Sequence, residues 1–197
     1  MAQGGLHSAR LILYSLDFSE VEQAQREGRW DEAATILGEA GCALKLAGAD
    51  FLILCTNTRH KVADVVAQRT RLPILYIVDA TGNAIIEQGL HRVGLLGTRF
   101  VMGEKFYRDR LRQYFGIDIL VPGEDEQVIV HWISNDELCQ GRLRGASRRD
   151  CLEIIEGLTR RGAEGIILGC TNYRYSSALP IQTFPYSIRP DFMLKLR

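Results

Sequence analysis

Net charge is the first thing this sequence lacks: 24 lysines and arginines stand against 24 aspartates and glutamates. Without an excess of either sign there is no field to gather phosphate backbones or anionic lipid, so neither nucleic acid nor a membrane surface is an expected partner. The nearest thing to a basic patch, Arg142, Arg144, Arg148 and Arg149, is diluted by Asp150 and Glu153 and reads as a solvated helix face. Long apolar runs are also missing. No stretch approaches the roughly 18 residues of a membrane span, and the N-terminus shows no hydrophobic region of a secretory signal. The five cysteines, Cys42, Cys55, Cys139, Cys151 and Cys170, are odd in number, with no Cys-x-x-Cys pair and no Cys/His pair at zinc spacing. Neither a disulfide framework nor a metal site is expected, and a reducing cytoplasm is the expected setting.

What is present is an alternation of short apolar runs and helical periodicities. "RLILYSLD" (residues 10–17), "ADFLILCTN" (49–57) and "LPILYIVD" (72–79) read as strands. Helical spacing fills "DEAATILGEAGCALKLAG", and "TRHKVADVVAQRT" reads as a helix opened by Thr58 as a cap, with "ATGNAIIEQG" as a short connecting helix. A second series follows: strand 92–98, helix 100–114, strand "IDILVP", helices 125–140 and 147–161, and the strand "EGIILGCT". Strands apolar throughout, joined by helices, predict parallel sheets buried on both faces, an α/β fold. The residues beyond that last strand, rich in proline and aromatics, have no assignable element.

One phrase is written twice. "ADFLILCTNTRH" and "AEGIILGCTNYRY" each follow a Gly-Ala pair with an acidic residue, an aliphatic strand and Cys-Thr-Asn. Cys55 stands seven positions after Gly48 and Cys170 eight after Gly162, the extra residue being Gly169. The repeat predicts two related lobes, 1–88 and 89–180, followed by a tail, 181–197.

In parallel α/β sheets, ligands gather outside the carboxyl ends of the strands, which is where Cys55 and Cys170 are expected. A thiol at the start of the following helix is favoured as thiolate and becomes a usable base. Thr56, Asn57 and Thr58, with Thr171 and Asn172 in the second copy, supply hydroxyls, amides and backbone N–H groups suited to a carboxylate. Two sulfurs on opposite sides of one carbon suit stereoinversion, because one must remove a proton from one face while the other delivers a proton to the opposite face. Any single cysteine ending an apolar strand is more often a small packed hydrophobe, the reading given to Cys42, Cys139 and Cys151. The duplicated polar flank is what separates Cys55 and Cys170 from those three.

At these residues the chain resembles the aspartate/glutamate racemase family, through "HSARLILYSLDF", "LCTNTRHKVAD", "RVGLLGTRFVM" and "GAEGIILGCT", spread from His7 to Thr171. The resemblance implies two pseudo-symmetric lobes, each a parallel sheet flanked by helices, with the active site in the cleft between them. It implies racemisation of an amino acid, aspartate or glutamate being the usual substrate, with no cofactor and no metal. By position, Cys55 and Cys170 match the paired catalytic cysteines, and Thr56, Asn57, Thr58, Thr171 and Gln25 match substrate-contacting positions. Asp17 and Phe18 read as structural. A homodimer is common in that family.

The chain also departs from the family. Relative to it, the first lobe is expected to be without an initial strand and Gly-Gly-Met loop, and Asn172 stands where Gly-Cys-Thr is normally followed by Glu, which is expected to weaken turnover. Ser134-Asn135 replaces apolar and aromatic residues, and the ending from Asn172 onward does not match. Related families use such cysteines for maleate isomerisation, hydantoin racemisation or malonate decarboxylation. A non-catalytic carboxylate-binding homologue is the remaining alternative.

Overall fold

The computed structural model describes residues 9–170 and the backbone of residues 187–188. The described chain divides into two compact units: residues 9–54 with 59–76, and residues 55–58 with 77–170 and 187–188.

The first unit holds helix α1 (Phe18–Arg26), helix α2 (Trp30–Leu46), strand β1 (Leu52–Ile53), most of a 3-10 turn (Thr58–Val62), helix α3 (Ala63–Thr70) and strand β2 (Ile74–Leu75). Asp17 starts α1 by accepting the Ser19 N–H at 2.9 Å, so its expected structural role is an N-cap. The strands β1 and β2 pair in parallel, Leu52 opposite Ile74. Their apolar side chains meet Ala34 and Leu37 of α2 and Val62, Ala63 and Val66 at the start of α3. Two glycines on α2 allow that close packing: a Cβ on Gly41 would sit 2.6 Å from Thr70 and 3.1 Å from Leu52.

The second unit is built on a four-stranded parallel sheet of β3 (Arg92–Leu96), β4 (Asp118–Leu120), β5 (Gly165–Leu168) and β6 (Ser187–Ile188), in the order β4-β3-β5-β6. Helices α4 (Ile77–Glu87), α5 (Arg99–Gly103), α6 (Lys105–Phe115), α7 (Glu124–Trp132) and α8 (Gly145–Arg160) surround it. The alternation of side chains along a strand assigns each face its partner. Val93, Leu95 and Ile167 pack with α4 and α6, around the fully buried Tyr107 and Leu111. Leu96, Ile166 and Leu168 pack with α7 and α8, around Val130, Ile155 and Leu158. Burying each such aliphatic side chain contributes roughly 1.5–3 kcal/mol, and a sheet covered on both faces accounts for the uninterrupted apolar reading of β3 and β5.

The repeated Gly-Ala pair has one local geometry in both places. Gly48 and Gly162 take φ of +96° and +95°, a region open to glycine at little cost. The N–H of Gly48 reaches Lys45 and that of Ala49 reaches Leu44, while those of Gly162 and Ala163 reach Thr159 and Leu158. This six-to-one and five-to-two pairing ends α2 and α8 alike and aims the chain into β1 and β5.

Several elements differ from the sequence expectation. Residues 10–17 form no strand; Leu11 and Leu13 are 80% and 78% exposed, and an apolar run becomes a strand only where an edge receives it. The third apolar run is a two-residue strand, and α4 begins already at Ile77, three residues ahead of the expected connecting helix. The helix expected over 100–114 breaks at Glu104, whose backbone is extended. The one expected over 125–140 passes from α7 into a π turn (Ile133–Glu137) and a 3-10 turn (Leu138–Gln140). There Glu137, 1% exposed, accepts the Arg144 N–H and the Ser147 hydroxyl, both at 2.8 Å. That carboxylate holds the start of α8, which has no side-chain cap from its own N-cap residue. Of the cysteines read as packed, Cys151 is buried and Cys42 half-buried, whereas Cys139 is exposed on the 3-10 turn.

At the amino ends of the sheet, Glu164 accepts the N–H groups of His91 at 2.7 Å and Arg92 at 3.0 Å. Those two hydrogen bonds hold its carboxyl below the ordinary value of 4.5, the His91 bond having the larger effect. A carboxyl lowered on folding adds stability that is full above 4.5 and is lost as the pH falls through the folded-state value. Urea midpoints measured from pH 6 downward should therefore fall more steeply for the native chain than for Glu164→Gln, with the two curves converging in acid. Parallel curves would leave Glu164 no role in acid stability.

Candidate functional site

From β3 the chain crosses to β4 on one side and later returns to β5 on the other. The carboxyl ends of β3 and β5 therefore flank the point where the direction of winding reverses, which is where an open parallel sheet leaves a crevice. β3 ends in Leu96, Gly97 and Thr98, and β5 in Leu168, Gly169 and Cys170. Cys170 is half-buried against the layer of α7 and α8.

The segment Cys55–Thr58 belongs to the same compact unit, although the β1 strand before it does not. Two side-chain contacts tie it there. The Asn57 amide Nδ2 donates to the Gly169 carbonyl at 2.8 Å, a buried hydrogen bond spanning 112 residues. The Thr58 and Thr98 hydroxyls meet at 2.9 Å, and Thr98 also receives the Val101 N–H at 3.4 Å as the cap of α5. The two Cys-Thr segments are thus joined through the residue just before Cys170 and the residue two after Cys55.

Gly169, the residue that offset the two repeats, has a steric reason. A Cβ there would lie 3.1 Å from the Leu96 carbonyl oxygen, which already accepts the Gly169 N–H at 2.6 Å. One on Gly97 would come within 3.4 Å of the Gly169 oxygen, the acceptor Asn57 uses. A side chain at either position would have to push its neighbours aside by a few tenths of an ångström.

The hydrogen bond also fixes which way the Asn57 amide faces. A carbonyl only accepts, so the nitrogen must point at Gly169 and the oxygen elsewhere. That Oδ1 is sealed from solvent and has no partner among the described residues, while Asn57 is 4% exposed. The donor expected for a carboxylate is thus engaged, and what Asn57 still offers is an acceptor. Thr58, expected as a helix cap, has no α-helix directly after it: a 3-10 turn intervenes, α3 begins at Ala63, and its hydroxyl goes to Thr98.

Cys55 is exposed, Thr56 half-buried and Thr58 buried. Gln25 lies in α1 of the first unit, 7% exposed, with its Nε2 unpartnered among the described residues. Thr171 and Asn172 lie outside the described residues. Thr98 was not singled out from sequence; its signal was a threonine directly after a strand-ending glycine, as in Gly169-Cys170. None of the five cysteines is in a disulfide, and among the described residues no group of three or more His, Cys, Asp or Glu is placed to hold a metal ion. No described helix is long and apolar enough to cross a membrane.

Comparison with known proteins matches residues 1–181 to the family model described as Asp/Glu/Hydantoin racemase. A crystal structure from Yersinia pestis, assigned as an Asp/Glu racemase, is 46% identical, with 87% of this chain covering 74% of that one at a TM-score of 0.78. An aspartate racemase homologue from Pyrococcus horikoshii OT3 is 32% identical over 91% of this chain and 75% of its own, at 0.71. A glutamate racemase from Francisella tularensis, solved with D-glutamate, is 15% identical over 80% and 60% at 0.60, a likeness of fold.

The Asn57 link is open to direct test. Asn57→Leu leaves the Gly169 carbonyl without its partner and should cost about 1–3 kcal/mol in urea unfolding. Asn57→Asp should cost at least as much, because it turns an acceptor toward an acceptor. Full stability in both variants would show that the segment is held by other contacts.

Proposed function

Because the chain belongs to the Asp/Glu/hydantoin racemase family, we propose that it racemises aspartate or glutamate without a cofactor, using Cys55 and Cys170 as paired acid/base groups. The observation that supports this most directly is the hydrogen bond from Asn57 to Gly169, which ties the Cys55 segment to the strand end bearing Cys170.

The Cys55 thiolate takes the α-proton, and the electron pair left on the α-carbon delocalises into the substrate carboxylate. The Cys170 thiol returns a proton to the opposite face, giving the enantiomer and leaving the enzyme as Cys55 thiol and Cys170 thiolate. In that state it is ready for the reverse direction, which is why two sulfurs serve where a single base does not. The Thr56, Thr58 and Thr171 hydroxyls and the Gln25 amide are assigned to the substrate's oxygens. Asn57 is assigned to the ammonium, since its oxygen is the atom left unpartnered.

Amino acid and hydantoin substrates are separated by incubating the protein with each in deuterated water. Label should enter the α-carbon of aspartate or glutamate. Cys55→Ser and Cys170→Ser should each lower that exchange by at least about a hundredfold, the scale of a lost general acid or base, with substrate binding by calorimetry largely retained. Unaltered exchange in both variants would reject the two-thiol reading. Label entering only a substituted hydantoin would move the substrate class.

A further inference from the structure

Where β3 runs into α5, the Thr98 hydroxyl sits between a backbone donor and a second hydroxyl. The Val101 N–H donates to its Oγ1 at 3.4 Å, and Thr58 Oγ1 lies 2.9 Å away on the Cys55 segment. All three residues belong to the second unit. The distance between two hydroxyl oxygens leaves open which one gives its proton to the other. The Val101 N–H favours one answer: with a donor aimed at one lone pair, the Thr98 proton points away from α5, and Thr58 is its hydrogen-bonded neighbour there. The reverse order would have Thr98 accepting twice and leave Thr58, 7% exposed, offering only lone pairs on its remaining side.

We infer that Thr98 is a positioning residue for the substrate carboxylate: its hydroxyl donates to Thr58, so that the Thr58 proton is free for a carboxylate oxygen. This rests on the racemase reading, in which Thr58 serves the substrate's oxygens, and deepens it. The chain from Val101 N–H through Thr98 O–H to Thr58 O–H runs in one direction. Each bond polarises the next, which makes the last proton a better donor than that of an isolated threonine. Thr98 itself touches no substrate. Its other role, capping α5, is separable because that helix start has two further holds. The Met102 N–H reaches the Thr98 carbonyl at 3.0 Å, and the Arg99 N–H reaches His131 Nδ1 at 3.3 Å. Neither passes through the Thr98 hydroxyl.

Calorimetric titration with succinate and turnover of aspartate read the effect, and a double-mutant cycle with Thr58→Val locates it. Thr98→Val keeps the branched shape and removes the proton. It should weaken succinate binding and raise the aspartate KM about three- to tenfold, the scale of one neutral hydrogen bond, with kcat little changed. Thr98→Ser, which keeps the hydroxyl, should stay within about twofold of the native chain, having lost only the methyl that restrains its rotamer. In the Thr58→Val background, Thr98→Val should weaken binding no further. A residue that only caps α5 lowers stability and leaves binding unaltered, whereas a Thr98 in direct contact with substrate gives losses that multiply across the cycle. Either result would overturn the proposal, as would a Thr98→Ser as weak as Thr98→Val or a native chain that binds neither succinate nor aspartate. Failure of the racemase reading looks different: α-proton exchange is absent from the native chain while the succinate cycle can still be read. Should Thr98→Val not fold, Thr98→Gly takes its place in the cycle, since glycine is tolerated at an N-cap, and the same outcomes decide.

Discussion

The arrangement depends on one buried hydrogen bond, from the Asn57 side chain to the carbonyl of Gly169. A two-residue strand cannot by itself hold the chain that follows it, and β1 is only Leu52–Ile53. The segment Cys55–Thr58 is held instead by a donor, Asn57 Nδ2, and a hydroxyl, Thr58 Oγ1, reaching the loops after β5 and β3. A bond sealed from water is stronger than an exposed one and more costly to break, so this pair of contacts can position a sulfur that is itself exposed. The glycines at 97 and 169 are the other half of the constraint, since a Cβ on either would crowd the strand ends where the acceptor carbonyl lies.

How far the sequence was legible follows from the range of the forces involved. Helix ends are local: Gly48-Ala49 and Gly162-Ala163 could be matched by eye, and both adopt the same turn because the requirement for positive φ is met within a few residues. The parallel sheet was legible for a similar reason, as β5 is buried along its whole length. The run Leu11–Tyr14 was not, since its composition is that of a strand and strand formation needs a neighbouring edge that composition does not encode. The break at Glu104 and the π turn at Ile133–Glu137 were hidden by an unbroken helical period.

The site was partly legible. The repeat drew attention to the cysteines and to the polar residues beside them, expected as a receptor for a carboxylate; of that set, Asn57 and Thr58 bond to Gly169 and Thr98. The division of labour was not visible, because Asn57 finds its acceptor 112 residues away and Thr58 meets Thr98 40 residues away. A sequence pattern states what groups are offered, and only the fold decides which of them are already taken.

What is left over then becomes informative. Most buried polar atoms in folded proteins find partners, so those that do not ask for a reason. Among the described residues, Asn57 leaves an acceptor and Gln25 and Arg59 leave donors. They do not form one set, since Gln25 and Arg59 belong to the first unit and Asn57 to the second; what bears on the Cys55 segment is the Asn57 oxygen, an acceptor whose natural complement is a donor such as an ammonium.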